Sequence, residues 1–204
     1  MNNSIKLAGI ITVVGMSLAG SAKANLIVNG SFENPRQSSW NQYTSIQGWS
    51  SKDAKIEVGL GSVHGVTGYD GRNVLELDST ANAKVSQSAK LKAGKYDLSF
   101  LYARRQTGMT GRDLSTCDFN VLWNGSLIWS ARPTLGKMTE KDLVLTAKSG
   151  FNTLTFQGAG KSDSYGALID NVKLNAAPVP EPASMAALLV GGVGLLRRRR
   201  AAKA

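Results

Sequence analysis

From residue 25 to residue 177 the chain keeps to a period of two. Short runs of alternating apolar and polar side chains are cut every few residues by Gly, Asn, Asp or Ser, and no stretch shows the 3.6-residue period of a helix. A chain of this kind buries its apolar half only by stacking sheets. The runs predict strands at 26–29, 55–58, 73–77, 84–88, 94–102, 117–123, 126–130, 141–147, 151–157 and 166–174. Asn124-Gly125, set between Phe119–Trp123 and Ser126–Trp129, supplies the two positive φ values of a type I′ hairpin turn. Tyr96, Leu98, Phe100 and Tyr102 share one strand face, and Leu101 marks the other face as partly covered. The expected fold is all-β, a single antiparallel β-sandwich, with Arg104–Ser115 as a long loop at its rim, where binding residues tend to lie.

Composition excludes several function classes. The single cysteine, Cys117, rules out a disulfide scaffold or a thiolate zinc module. The single histidine, His64, weakens any multi-imidazole site, and a Cys117/His64 nucleophile pair ranks far below a core role for the cysteine. The formal net charge of +10 would suggest nucleic acid, but much of it sits at the two ends, in Lys6, Lys23, Arg197–Arg200 and Lys203. Within the body Arg104-Arg105 is the only adjacent basic pair, so no nucleic-acid partner is expected.

Both ends read as addresses. Lys6, the apolar stretch 7–19 and Ala22-Lys23-Ala24 form a secretory signal cut by signal peptidase after Ala24. At the other end Pro180-Glu181-Pro182 precedes fourteen uncharged residues, Ala183–Leu196, and then Arg197, Arg198, Arg199 and Arg200. As a helix that stretch rises about 21 Å, a marginal span of a hydrocarbon core about 30 Å thick, with the arginines on the cytoplasmic side. This order resembles the PEP-CTERM sorting signal of Gram-negative bacteria. The resemblance implies export, a transient inner-membrane intermediate held by the C-terminal transmembrane helix, processing by an exosortase, and delivery to the cell surface or an exopolysaccharide (biofilm) matrix. A retained anchor is the alternative. The expected organisation is a signal peptide over 1–24, the sandwich over 25–177 and the sorting signal over 178–204.

The body carries a second resemblance. Asn25–Pro35, Gly48-Trp49 with Ile56-Glu57-Val58, Asp70-Gly71 leading into Val74–Asp78, Ala93–Phe100 and Leu168–Leu174 are similar, in order and spacing, to galactose-binding-like jelly-roll domains of the carbohydrate-binding-module type. The resemblance implies one jelly roll and extracellular polysaccharide as partner. It also implies a structural calcium ion where the first and last strands meet, with Glu33 and Asp170 as carboxylate ligands; the alternative is a solvated Glu33 and an Asp170 that caps a turn.

Glu76 and Asp78, two apart on a strand, could mimic an acid/base pair, but alternation with Leu75 and Leu77 reads them as an outward polar face, so no catalytic residue is assigned. A sugar site needs aromatic faces beside hydrogen-bonding rim residues, and the candidates are Trp40, Tyr43, Tyr69, Arg104, Arg105 and Arg112; Trp123 and Trp129 read as packing. Three functions remain in order: a non-catalytic carbohydrate-binding surface protein, a self-associating matrix protein, and a glycan-active enzyme.

Overall fold

The computed structural model describes residues 24–178. In chain order its strands are β1 (Trp40–Tyr43), β2 (Ser45–Ile46), β3 (Trp49–Ser51), β4 (Ile56–Leu60), β5 (Asn73–Glu76), β6 (Lys84–Leu91), β7 (Gly94–Arg104), β8 (Phe119–Trp123), β9 (Ser126–Ala131), β10 (Thr139–Ala147), β11 (Gly150–Gly158) and β12 (Ala167–Ala176). They form two six-stranded sheets, β1-β4-β5-β12-β7-β10 and β2-β3-β6-β11-β8-β9, with antiparallel pairing between neighbours. This is the all-β, two-sheet sandwich that the period-two pattern requires, and its sheets are consistent with a jelly roll.

The core lies between the sheets because the alternation is in phase across them. Ile56, Val58, Leu75, Leu98, Phe100 and Ile169 come from the first sheet and meet Trp49, Val85, Val121, Leu154 and Phe156 from the second. Aromatic edges join the layers: Phe100 sits 5.1 Å from Phe156 and Trp49 lies 5.4 Å from Phe32, centroid to centroid, each pair in a tilted or edge-on arrangement. The β8–β9 hairpin turns on Asn124 (φ 53°) and Gly125 (φ 83°), the two left-handed residues expected there.

One expected strand is absent, and two features appear that the sequence pattern does not announce. Residues 26–29 are not a strand: Asn29 and Phe32 take positive φ (53° and 54°), which breaks a ladder, and the segment instead docks through Leu26 N–H to Leu174 O and Val172 N–H to Gly30 O. A Cβ at Gly30 would run into the Val172 carbonyl, so this approach demands glycine. Short strands β1, β2 and β3 arise in a polar stretch with no clear alternation. A one-turn helix, α1 (Gly61–His64), closes on Gly65 at φ 74° and is too short to leave a period.

The first sheet is covered on both faces. Val66, Val74, Ala103, Met138 and Leu168, with Tyr69 and Leu101 against them, form a second small apolar cluster on the side away from the core. The segments that follow β4 and precede β10 therefore lie over this sheet. Polar groups on its outward face end up buried.

Candidate functional site

Glu57 and Glu76 face each other directly in the β4–β5 register, both turned away from the core, and both are buried under α1 and the rim loop. Two carboxylates opposed out of water need a cation. Arg105, one residue beyond β7, supplies it: its Nη1 contacts Glu76 Oε2 and lies 3.7 Å from Glu57 Oε1. Its guanidinium also lies over the Tyr165 ring, 4.6 Å from the centroid, and Arg112 lies over the same ring at 3.8 Å while bonding Asp163 Oδ2 at 2.7 Å. The rim loop is thereby held at two points, by Arg105 to the sheet acids and by Arg112 to Asp163 in the loop before β12, with Tyr165 as the common surface.

Glu76 and Asp78 are corrected as an outward, solvated pair: both are wholly buried. Glu76 Oε1 accepts from Gly166 N–H (2.7 Å) and Oε2 is held by Arg105. Asp78 Oδ1 accepts from Ser162 Oγ (3.0 Å), and Oδ2 from the backbone N–H groups of Asp163 (2.7 Å) and Ser164 (2.9 Å). Three of the four oxygens tie down the 162–166 loop, and the fourth, Glu76 Oε2, is held by Arg105. Burial, and after it the Glu57 carboxyl, holds the Glu76 carboxyl well above the usual range.

His64 completes this cluster. It is wholly buried, neither ring nitrogen has a hydrogen-bond partner, and Nδ1 lies 3.6 Å from Glu76 Oε2. Glu57, His64 and Glu76 offer ligand atoms within 4.8 Å of one another, a spacing that suits a divalent ion, but the Arg105 guanidinium stands where the cation would go. Burial, and then the Arg105 charge, lowers the His64 imidazole from 6.5 to about 3. The unfolded chain thus takes up a proton between these values that the folded chain refuses. Stability is expected to be full above pH 6.5 and to fall on acidification, by at most about 1.4 kcal/mol per pH unit from this group. Glu76, raised rather than lowered, acts in the opposite sense. The measurement is Tm against pH for the protein and for His64→Phe, which keeps a ring and loses the titration. A flatter decline in the variant is expected between pH 6.5 and 4; identical slopes would show that His64 accepts its proton at no cost.

Cys117 does not join His64. Its Sγ is directed to Gly166 O (3.5 Å), and burial pushes the thiol up to about 11, which removes its nucleophilic form at neutral pH.

A second group gathers where the N-terminal segment meets β12. Asp170 is wholly buried; its Oδ2 accepts from Asp70 N–H (2.6 Å) and its Oδ1 from Asn171 N–H (2.6 Å). Glu33 Oε1 accepts from the N–H groups of Arg72 (2.7 Å) and Asn73 (2.8 Å), and Ser31 Oγ donates to Asp70 Oδ2 (2.8 Å). Among the described residues no Lys, Arg or His pairs with Glu33, Asp70 or Asp170. Burial, with the negative charges of Asp70 and Glu33 adding to it, pushes the Asp170 carboxyl up to about 8. The oxygens of Glu33, Asp70 and Asp170 do not close to within 4.8 Å of one another as the ligand atoms of Glu57, His64 and Glu76 do, so the three form an acidic neighbourhood tied by backbone N–H groups. Asp70 enters this neighbourhood through its backbone contact with Asp170, a hundred residues away, which no local pattern in the sequence marks.

The sugar candidates scatter. Trp40 is 52% exposed at the start of the edge strand β1, its Cβ over Gly59 beside His64. Tyr43 is half-buried with its hydroxyl accepting from Gln37 Nε2 (2.9 Å). Tyr69 packs on Gly61 and the small cluster. Arg104 is half-buried with its Nε lacking a partner, and Arg105 and Arg112 meet on Tyr165. Ala24 is exposed, whereas Pro180, Glu181, Pro182 and Arg197–Arg200 lie outside the described residues. No helix among the described residues is long and apolar enough to cross a membrane.

The second sheet carries a different feature. A cleft of about 430 Å³ on its outward face is lined by the hydroxyls of Ser50, Ser86, Ser88 and Thr153, with Lys84 and Asp53 paired at 3.1 Å. Two residues before Thr153 on the same strand face stands Phe151, 68% exposed. A wider trough along Asp118, Asn120, Ser130 and Arg132 is bridged by the Arg132–Asp118 pair and has no exposed aromatic ring.

No family model matches the chain. Over 151 residues it is 35% identical to the multifunctional-autoprocessing repeats-in-toxin of Vibrio cholerae serotype O1 and 34% identical to that of Vibrio vulnificus. These stretches cover 72% of this chain and 3% of each toxin, so the chain spans about 3% of the length of the curated relatives it matches. Among solved structures it is similar to TmCBM61 in complex with beta-1,4-galactotriose, with a TM-score of 0.49 at 16% identity over 76% of this chain and 99% of that one. A family 35 carbohydrate binding module from Clostridium thermocellum gives a TM-score of 0.43 at 17% identity, covering 69% of this chain and all of the other.

Proposed function

We propose that this is an exported, non-catalytic module that holds carbohydrate at the cell surface or in an exopolysaccharide matrix. The observation that carries the reading is the hydroxyl-lined cleft on the second sheet with Phe151 exposed beside it. Sugar rings present C–H faces that stack on aromatic rings and hydroxyls that exchange hydrogen bonds with Ser, Thr and Lys, and the cleft sets both chemistries on one strand face. Binding is favoured over hydrolysis because the carboxylate pair that could serve as acid and base is sealed, each oxygen engaged by Arg105 or the 162–166 loop. The export part of the reading rests on the sequence of the two ends, with signal peptidase and an exosortase as processing partners and the inner membrane as a transient station. Calcium at Glu33 and Asp170, the ligands that the jelly-roll resemblance implies, would contribute charge neutralisation and order rather than chemistry.

The test is retention of the chain on a panel of immobilised polysaccharides. Phe151→Ala is expected to weaken retention about tenfold, equivalent to about 1.4 kcal/mol, with Tm unchanged because the ring is exposed. If Trp40→Ala abolishes retention and Phe151→Ala does not, the site lies at the edge of the first sheet. Silence across the panel, with concentration-dependent oligomers in sedimentation, would replace this reading by a self-associating matrix protein.

A further inference from the structure

The cleft is one part of a longer strip. In the β6–β11 register the outward side chains pair as Lys84 with Gln157, Ser86 with Thr155, Ser88 with Thr153 and Lys90 with Phe151. At the rise of a strand, about 3.4 Å per residue, the two lysines stand about 20 Å apart with a row of hydroxyls between them. Ser86 and Thr155 bond to each other at 2.8 Å, and Ser88 and Thr153 at 2.7 Å. Each such pair uses one O–H, so each leaves a second O–H and lone pairs for a ligand.

The charge on this strip is one-sided. Lys84 is paired with Asp53, but Lys90 and Lys52 have no ion-pair partner among the described residues, and Asp53 is the only acid lining the cleft. Surface lysines repel one another and gain when an anion lies between them. A hydroxyl row suits a polyhydroxylated chain; an aromatic ring at one end suits a sugar face; unpaired cations at both ends suit carboxylates. We infer that the occupant of this strip is an extended acidic polysaccharide lying along β6 and β11, its carboxylates on Lys52 and Lys90 and one ring on Phe151. The inference rests on the carbohydrate reading above and adds the class and direction of the chain.

The experiment uses the full chain and two acidic polysaccharides, polygalacturonate and alginate, each beside its carboxyl-reduced neutral form, with affinities measured at low and high salt. At least one acidic polymer is expected to bind about tenfold more tightly than its reduced form at low salt, with the difference shrinking as salt screens the lysines. Lys90→Ala and Lys52→Ala are each expected to lower affinity for the acidic polymer several-fold and to leave the reduced polymer unchanged, whereas Phe151→Ala weakens both. Equal affinity for an acidic polymer and its reduced form, with no effect of the lysine changes, overturns the acidic class and leaves carbohydrate binding standing. Equal affinity for single-stranded DNA would show bare charge attraction and also overturns it. Failure to retain any polysaccharide, neutral or acidic, overturns the carbohydrate reading itself.

Discussion

Replacing Arg105 by alanine is expected to lower the unfolding free energy by about 3–5 kcal/mol, because it leaves two opposed carboxylates buried without their cation. In a body of this size that corresponds to a fall in Tm of about 6–20 °C. The loss is larger than that of a surface ion pair for two reasons. Glu57 and Glu76 are both buried, and the arginine side chain is only 14% exposed, so water cannot replace it cheaply. The same guanidinium lies over Tyr165, so its removal also frees one of the two points that clamp the rim loop. Arg105→Lys should recover part of the loss, since an ammonium carries the charge but not the planar group that sets Nη1 between both acids while Nε bonds Thr107 O. Adding Glu57→Gln and Glu76→Gln to Arg105→Ala should also recover part of it by removing the repulsion. Thermal unfolding of the four proteins checks this, and a cost below about 1 kcal/mol for Arg105→Ala would mean that the pair protonates freely in place.

Calcium is the second large effect. Added to the metal-free protein at a hundredfold excess over its Kd, it should stabilise the body by about 2.7 kcal/mol, a rise in Tm of about 5–10 °C, and chelation should reverse it. The expectation comes from Asp170, wholly buried, crowded by Asp70 and Glu33 and without a basic partner among the described residues. Glu33→Gln makes the test sharp. Its amide oxygen can still accept from Arg72 and Asn73, so the turn is kept while one ligand charge is lost. The variant should fold as before and respond weakly or not at all to calcium. A Tm that calcium and chelator leave unmoved would remove the site.

Nine of the ten expected strands are present, with bounds shifted by one to three residues, since alternation and turn chemistry are local properties that a short window contains. The exception, 26–29, has the alternation and lacks the ladder: positive φ at Asn29 and Phe32 and the Gly30 approach to Val172 are set by the far end of the chain. The candidate site was less legible. In sequence Arg105 reads as a sugar-binding candidate, and its tertiary partners are two acids 29 and 48 residues earlier. Phe151 is hidden in the sequence for a similar reason. Residues 151–156 place aromatic rings at both parities, and only the seating of Leu154 and Phe156 in the core turns Phe151, Thr153 and Thr155 outward.

The all-β class, most of the strands, the Asn124-Gly125 hairpin and the scarcity of cysteine and histidine that excludes thiolate-metal and multi-histidine chemistry are legible in the chain alone. Each of these follows from neighbours within a few residues or from composition. Packing and register settle which polar groups are buried, that Glu76 and Asp78 are structural ties, that the Asp70 backbone meets Asp170, and that hydroxyls and a ring share one outward face. Those outcomes depend on strand register and on which loop covers which sheet. A shift of one residue in register exchanges the two faces of a strand, and no local pattern in the covered first sheet marks which face a distant loop will close over.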